Sequence, residues 1–189
     1  MKVMGFIASP RKKGNTAWIV NEILEGAQEA GAQTQSWHCN DLDIKPCQSC
    51  YGCKQGELRC VVHDDMQKIY AALEQADALV LGSPTYMGQM SAQAKIFTDR
   101  LFAEYHPRFS PQYKERAVKK LVLVFSQGNP DPGLFQAYYD YTKNMFQLLG
   151  FAGELHVVAG TRNVPAQERK DLHAAMKAIG SSLVSGDRS

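Results

Sequence analysis

The sequence lacks several features that would place it in a class at once. None of its apolar runs approaches the length of a transmembrane helix, and the N-terminal run is too short for a signal peptide. Its 21 basic and 19 acidic residues leave a net charge of +2, so no global field favours nucleic acid or an anionic membrane. Internal repeats and low-complexity tracts are also missing. We therefore expect a cytoplasmic protein that binds neither nucleic acid nor membranes.

The chain also lacks a linker. No stretch rich in Pro, Gly and Ser divides its 189 residues, which are enough to bury a good core, so we expect one domain over residues 1–189. Short runs of Val, Leu and Ile alternate with longer segments of helical period, which is typical of a parallel sheet covered by helices on both faces. The expected strands are Val3 to Ala8, Gln33 to Cys39, Ala78 to Leu81, Leu121 to Phe125 and Leu155 to Ala159.

Segments of helical period and their end signals complete this outline. Asp64 and Gln67 resemble an N-terminal capping pair, while Gly31 and Gly150 suit helix C-caps. Strands and helices in this alternation predict a doubly wound α/β fold, which binds ligands beyond the carboxyl ends of its strands. The expected helices are Ala17 to Ala30, Met66 to Leu73, Phe135 to Leu149 and Leu172 to Leu183.

The loop after the first strand has the composition of a phosphate site. Residues 9–16 read Ser-Pro-Arg-Lys-Lys-Gly-Asn-Thr and open directly into a helix, whose free amides and dipole favour an anion. Gly14 permits close backbone approach, and Asn15 can cap the helix. The loop has neither G-x-G-x-x-G nor G-x-x-x-x-G-K-[ST], which favours a single terminal phosphate. The alternative is a polar turn with solvated basic side chains.

Two further loops are expected at the same edge of the sheet. After the third strand, Pro84 stiffens the chain, Tyr86 can pack beside a planar ring, and Gly88 permits close approach. After the fourth strand comes the small polar segment of residues 126–129, Ser-Gln-Gly-Asn. The three loops together predict a site for a flat ligand with a phosphate tail.

Four of the five cysteines fall within fourteen residues, as Cys47, Cys50, Cys53 and Cys60. Thiolates at such short intervals are how iron–sulfur and zinc sites are usually built, and a reducing compartment favours metal or redox use over disulfides. A zinc site from Cys47, Cys50, Cys60 and His63 is an alternative that leaves Cys53 unused, and an inert loop is another. The remaining Cys39 is expected to be a small apolar filler.

Taken together, these motifs resemble the NADPH-dependent FMN reductase family. They are Ser-Pro-Arg-x-x-Gly-Asn-Thr after the first strand, Ser-Pro-Thr-Tyr-x-Gly after the third, and the cysteines between them. Within that family the iron-sulfur flavoproteins are the closest match, and the resemblance covers nearly the whole chain. It implies a flavodoxin-like, five-stranded parallel sheet in the order 2-1-3-4-5. The chain would be a single FMN-binding domain with a cysteine-containing insertion at residues 40–64.

The resemblance also implies the roles of individual residues by position. FMN would be the cofactor, with its phosphate held by the loop after the first strand and its ribityl chain and ring by the other two loops. The phosphate residues would be Ser9, Arg11, Gly14, Asn15 and Thr16. The ribityl and ring residues would be Pro84, Thr85, Tyr86, Met87 and Gly88, with Ser126 and Gly128 beside the ring. A 4Fe–4S cluster would be bound by Cys47, Cys50, Cys53 and Cys60, although many family members use FMN without a cluster.

The expected function follows from this cofactor, because FMN accepts a hydride from a nicotinamide or single electrons. We expect an FMN-dependent oxidoreductase with NAD(P)H or a reduced carrier as donor and a small redox acceptor such as a quinone or free flavin. The alternatives are an NAD(P)H-dependent FMN or quinone reductase without a cluster, and an electron carrier between ferredoxin-like proteins. The sequence identifies no catalytic side chain. In the resembling family a neighbouring protomer covers the flavin, which implies a homodimer or a dimer of dimers.

Overall fold

A twisted parallel sheet runs through the centre of the protein, built from five of the six strands in the described residues. The computed structural model describes residues 1–55, 59–105 and 117–185. The strands are β1 (Lys2–Ile7), β2 (Gln33–His38), β3 (Ala78–Tyr86), β4 (Gln89–Met90), β5 (Lys119–Ser126) and β6 (Phe151–Val158). The helices are α1 (Asn15–Glu29), α2 (Met66–Gln75), α3 (Ala92–Arg100), α4 (Gln136–Leu148) and α5 (Lys170–Ser185).

The strand order is β2-β1-β3-β5-β6, and all four of these pairings are parallel. This confirms the predicted flavodoxin-like order, in which the first strand lies between β2 and β3 and the later strands are added beyond β3. The two-residue strand β4 was not predicted. It pairs antiparallel with the end of β3 and adds a sixth strand to the sheet.

Alternating residues of the strands fill two apolar layers, one on each face of the sheet. On one face, Val80 and Val122 pack with α1 and α5. On the other, Phe6, Leu79 and Leu123 pack with residues of α2, α3 and α4. Because both faces of each central strand are covered, these strands read as continuous apolar runs in the sequence.

The helices α1 and α5 approach each other closely at two glycines. A Cβ added at Gly180 would lie 1.9 Å from the carbonyl oxygen of Ile23, and one at Gly26 would lie 2.1 Å from the carbonyl oxygen of Lys177. These distances leave no room for a side chain, so the two helix backbones can touch only because both positions are glycine.

The strand β3 extends five residues beyond its predicted end at Leu81. Backbone pairing with β5 continues to Pro84, and Thr85 and Tyr86 then pair with β4. These residues, which we predicted to lie in a loop, therefore belong to a strand. A two-residue turn at Met87 and Gly88 closes the hairpin, and both have the positive φ values (49° and 78°) of tight hairpin turns.

Helix ends agree with the sequence in part. Gly31 and Gly150 follow helices with φ values of 97° and 86°, which confirms both predicted C-caps. The predicted pair of Asp64 and Gln67 forms in part: the Asp64 carboxylate accepts from the first amide of α2, that of Met66, at 3.0 Å. The Gln67 side chain does not return a bond, because its amide group donates to the carbonyl oxygens of Cys60 and Val62.

The predicted cap at Asn15 is wrong. Asn15 is the first residue of α1, and the cap position before it is held by Gly14, without a side-chain hydrogen bond. The helix α3 was not predicted at all, since its nine residues carry only a weak apolar period. Among the described residues, no helix is long and apolar enough to cross a membrane.

Candidate functional site

Buried hydroxyl groups join the segments that follow β1, the β3–β4 hairpin and β5 by hydrogen bonds at the carboxyl edge of the sheet. The hydroxyls of Thr16 and Ser126 lie 2.7 Å apart and connect the start of α1 to the end of β5. The hydroxyl of Ser91 donates to the carbonyl oxygen of Ala8 at 2.6 Å, and it accepts from the amide of Ala94. It therefore caps α3 and ties that helix to the end of β1.

The loop after β1 folds back on itself before it enters α1. The buried hydroxyl of Ser9 accepts a hydrogen bond from the amide of Arg11 at 3.2 Å, and the amide of Gly14 donates to the Arg11 carbonyl at 3.2 Å. A Cβ at Gly14 would lie 3.1 Å from Cβ of Arg11, so a side chain here would crowd this turn. The first amides of α1 have no partner within the helix, which makes the turn suitable for a phosphate.

The segment after β2 supports this loop from the side. Cys39 is buried, as expected of an apolar filler, and its thiol also donates to the carbonyl oxygen of Ser9 at 3.2 Å. Burial raises the pKa of Cys39 to about 11, so the thiol stays protonated and can donate. Asn40 donates from its side chain to the Pro10 carbonyl at 2.6 Å, and Lys12 forms an exposed ion pair with Asp41.

The side chain of Asn15 is directed to the loop after β6. Its oxygen accepts a hydrogen bond from the amide of Ala166 at 2.8 Å, and its nitrogen donates to the carbonyl oxygen of Thr161 at 3.4 Å. Both ends of the amide are thus engaged with protein groups. The predicted contact of Asn15 with a phosphate stays a prediction.

A buried polar chain, which we did not predict from the sequence, connects the end of β3 to the loop after β5. The hydroxyl of Tyr139 donates to the side-chain oxygen of Gln127 at 2.6 Å and lies 2.9 Å from the hydroxyl of Thr85, which therefore donates to it. The Gln127 nitrogen donates to the carbonyl oxygens of Asn129 and Asp131. Burial raises the pKa of Tyr139 and outweighs the lowering effect of Thr85, so the phenol stays protonated.

The tip of the β3–β4 hairpin projects into solvent. Met87 is 100% exposed and Tyr86 is 42% exposed. Behind the tip, a Cβ at Gly88 would lie 3.2 Å from the ring of Phe135, and one at Gly128 would lie 3.2 Å from Cβ of Arg162. The candidate ring site is therefore bordered by small residues on the protein side and by exposed apolar side chains on the solvent side.

The four clustered cysteines lie on one loop as free thiols. Cys47 and Cys50 are exposed, whereas Cys53 and Cys60 are half-buried. The pKa of Cys53 is raised first by burial, and also by Cys60 and Cys47, while Lys54 lowers it. Within residues 1–55, 59–105 and 117–185, however, no three His, Cys, Asp or Glu side chains are arranged to hold a metal ion, and His63 is exposed.

The cysteine loop packs on the short 3₁₀ turn that follows α3, Leu101–Glu104. The ammonium group of Lys54 donates to the carbonyl oxygens of Phe102 and Tyr105 and lies 4.3 Å from the centre of the Phe102 ring. The ring of Tyr51 packs edge-on against the same ring. Tyr51 and Ser49 have positive φ values (56° and 51°), a strained backbone on both sides of Cys50.

The residues present suit both groups that the sequence resemblance implies. Hydroxyls, a tight glycine turn and a helix N-terminus are donors that suit a phosphate. Four thiols suit iron or zinc in number and chemistry, although in this conformation they do not converge. A flavodoxin-like sheet with phosphate-type loops at its carboxyl edge is the architecture in which α/β proteins bind cofactors.

Comparison with known proteins places the chain within that class. The sequence profile described as NADPH-dependent FMN reductase matches residues 1–152, and the chain belongs to this family. This confirms the family inferred from the sequence motifs and supports FMN as cofactor.

Its relatives include iron-sulfur flavoproteins of archaea. One from Methanocaldococcus jannaschii is 41% identical over 100 residues, which are 53% of this chain and 51% of the relative. One from Archaeoglobus fulgidus is 32% identical over 132 residues, 69% of this chain and 58% of the relative. The chain thus spans about half the length of the curated relatives it matches.

Solved structures confirm the fold. An NAD(P)H:quinone oxidoreductase from Methanothermobacter marburgensis superposes with a TM-score of 0.75 at 19% identity, covering 97% of this chain and 96% of the other. An azoreductase from Bacillus anthracis superposes with a TM-score of 0.71 at 15% identity, covering 98% and 99%. At these identities the likeness concerns the fold alone.

Proposed function

We propose that this protein is an FMN-dependent oxidoreductase that takes electrons from NAD(P)H or a reduced carrier, with an iron–sulfur cluster on its cysteine loop. The observation that carries the proposal is the set of hydrogen bonds that joins three loops at the carboxyl edge of the sheet. The pair of Thr16 and Ser126 and the pair of Ser91 and Ala8 hold a phosphate-type turn beside a hairpin with exposed aromatic and thioether side chains. Family membership supports FMN as the ligand.

In this proposal the loop after β1 holds the FMN phosphate. Ser9, Arg11 and Thr16 supply donors around the turn, and Gly14 keeps it open. The hairpin residues Pro84 to Gly88 border the ribityl chain and ring, with Ser126 and Gly128 on the opposite side. Bound FMN supplies hydride acceptance and single-electron transfer. The protein's part is to hold the cofactor and exclude water from one of its faces.

The cluster is supported by the four free thiols, Cys47, Cys50, Cys53 and Cys60, which lie on one loop. Several relatives are named iron-sulfur flavoproteins, which favours this chemistry over zinc. A cluster next to the flavin would carry electrons away one at a time, to a ferredoxin-like protein or another single-electron acceptor.

A second candidate is an NAD(P)H-dependent FMN or quinone reductase without a cluster. The observation in its favour is that the cysteine thiols, in the described part of the chain, do not form a metal site. In either case the exposed hairpin tip suggests a neighbouring protomer, so we propose a homodimer or a dimer of dimers. Met87, which is fully exposed, would be buried in that contact.

Anaerobic purification followed by an absorption spectrum and by FMN, iron, sulfide and zinc analysis tests the proposal. We expect stoichiometric FMN with iron and sulfide in equal amounts. The variant Cys53→Ser should lose iron but keep FMN, while Cys39→Ser, a control outside the cysteine loop, should keep its iron. Stoichiometric FMN without iron or sulfide, even after reconstitution, would reject the cluster and favour the second candidate.

Steady-state kinetics separates an enzyme from a carrier. An oxidoreductase should oxidise NAD(P)H with quinone or free flavin as acceptor at a rate that depends on bound FMN. A pure carrier should show negligible turnover without a protein partner. Protein that carries neither flavin nor metal after reconstitution would contradict both.

A further inference from the structure

A buried ion pair lies at the base of the cysteine loop. Arg100, the last residue of α3, and Asp64, two residues before α2, have side chains that are 0% and 1% exposed. The two guanidinium nitrogens bond the two carboxylate oxygens at 2.6 Å and 3.1 Å, a bidentate arrangement. This pair is distant in sequence from every residue that we assign to the flavin site.

The remaining hydrogen bonds of the pair go to both ends of the loop. Lys45, two residues before Cys47, donates its amide to Asp64 at 2.9 Å, and its carbonyl oxygen accepts from Arg100 at 2.8 Å. Val62, two residues after Cys60, offers its carbonyl oxygen to Arg100 at 3.4 Å. The ion pair thus bonds the chain that enters the cysteine segment and the chain that leaves it.

A second set of hydrogen bonds lies next to the ion pair and also joins the chain that enters the cysteine segment to the chain that leaves it. The amide of Asp65 donates to the carbonyl oxygen of Asp43 at 3.1 Å, and the amide of Asp43 donates to the Asp65 carboxylate at 2.9 Å. We call residues 43–45 and 62–65, together with Arg100, the loop neck. It converts the cysteine segment into a closed loop without a covalent link.

The pair is poorly explained as a device for stability alone. Removing two charges from water is costly, and the Nε of Arg100 is buried without a hydrogen-bond partner among the described residues. Apolar side chains of similar size could fill this space as well. Apolar groups could not, however, bond both the amide and the carbonyl oxygen of Lys45, as Asp64 and Arg100 do. The ion pair therefore fixes the position of the loop backbone.

From these contacts we infer that Asp64 and Arg100 are positioning residues for the cysteine loop: they keep Cys47 and Cys60 near each other before any metal arrives. The inference deepens the proposed function, because it concerns the loop to which that proposal assigns the cluster. Closing a loop costs entropy that grows with its length, and the neck removes from metal binding the part of that cost that comes from joining the two ends. The neck itself forms from protein groups only.

The test measures how close the two ends of the loop are in metal-free protein that retains FMN. In a background of Cys50→Ser and Cys53→Ser, Cys47 and Cys60 are equilibrated in glutathione redox buffers, where glutathione disulfide takes up their two electrons. The disulfide fraction gives the effective concentration of one thiol at the other. Both Asp64→Asn and Arg100→Lys should lower it by about tenfold or more, because the freed ends separate.

Two controls distinguish positioning from general destabilisation. Asp99→Asn removes an exposed ion pair with Lys95 one residue from Arg100 and should leave the effective concentration unchanged. Gly180→Ala should destabilise the α1–α5 face, on the far side of the sheet, also without changing it. Folded neck variants whose effective concentration stays within about twofold of the background protein would overturn the inference.

Hydrogen exchange in the unsubstituted metal-free protein tests the neck even if both variants fail to fold. The backbone amides of Lys45 and Met66 both donate to the Asp64 carboxylate, so their hydrogens should exchange more slowly than the amide hydrogen of the exposed Gln48. Equal exchange rates would contradict a neck that forms without metal. Iron analysis tests the cluster separately. If the protein binds no iron while the neck is intact, the proposed cluster is rejected and the inference about the neck still holds.

Discussion

The buried hydroxyl of Tyr139 offers a sharp test of the connection between the hairpin and the loop after β5. Replacing Tyr139 with Phe keeps the ring and its stacking on Phe125, whose centre lies 4.4 Å away, so no cavity forms. What is lost is the donor to Gln127 at 2.6 Å and the acceptor for Thr85 at 2.9 Å. The substitution therefore isolates the two hydrogen bonds.

The expected cost follows from what each partner loses. The bond with Thr85 contributes about 1 kcal/mol, and the buried oxygen of Gln127, left without a donor, costs about 1–3 kcal/mol more. The free energy of unfolding should therefore fall by about 2–4 kcal/mol, which corresponds to a Tm lower by roughly 5–15 °C for a chain of this length. FMN should also bind more weakly, because Thr85 loses its anchor.

Thermal and urea unfolding of the FMN-free protein measure this effect. The matched control is Tyr141→Phe on the same helix, where the side chain is 62% exposed and the change should stay within about 0.5 kcal/mol. Equal stabilities for the two variants would refute the assignment of Tyr139 as the link between the two loops.

Three further changes address helix packing, acid stability and the phosphate loop. Gly180→Ala should lower the free energy of unfolding by at least about 2 kcal/mol, because its Cβ would lie 1.9 Å from the Ile23 carbonyl; Ser182→Ala on the exposed face of α5 is the control. Burial would raise the pKa of Asp64. Hydrogen bonds from Arg100 and two backbone amides have the larger effect, so the pKa of Asp64 lies below its ordinary value of 3.8. Its contribution to stability is thus present above about pH 4 and lost below it, so Asp64→Asn should make stability fall less steeply in acid urea titrations. Arg11→Ala should weaken FMN binding by roughly tenfold to a hundredfold in fluorescence titrations and leave unfolding of the FMN-free protein unchanged, since a charge-assisted hydrogen bond is worth about 1.5–3 kcal/mol; unchanged affinity would remove Arg11 from the phosphate site.

The central sheet could be predicted because its strands are buried on both faces. Runs such as Leu121 to Phe125 contain no polar residue, so the sequence itself indicates that both faces of these strands are buried. The glycine C-caps at Gly31 and Gly150 were equally readable, since a left-handed residue after a helix strongly favours glycine.

What could not be predicted depends on contacts between distant segments. The end of β3 pairs with β4 because a tight turn forms at Met87, a residue that shows no turn preference in the sequence. The side chain of Asn15 bonds Ala166, 151 residues away, rather than capping its own helix. Arg100 lies in a helix without a clear apolar period, so neither its burial nor its partner Asp64 could be read from local pattern.

The two candidate sites differ in how much of their structure the protein supplies by itself. The flavin loops are joined by buried hydrogen bonds, such as that of Thr16 with Ser126 and that of Ser91 with Ala8, so a phosphate would enter a turn that is already ordered. The cysteine loop is ordered at its neck, while Cys47 and Cys50 remain exposed and the thiols do not converge. A ligand that binds a preformed site loses no free energy to ordering the chain. A metal at the cysteines would bind less tightly by the free energy needed to bring the thiols together. The proposed flavin site can therefore form without the proposed cluster, and the cluster would decide a separate question: whether electrons leave the protein in pairs or one at a time.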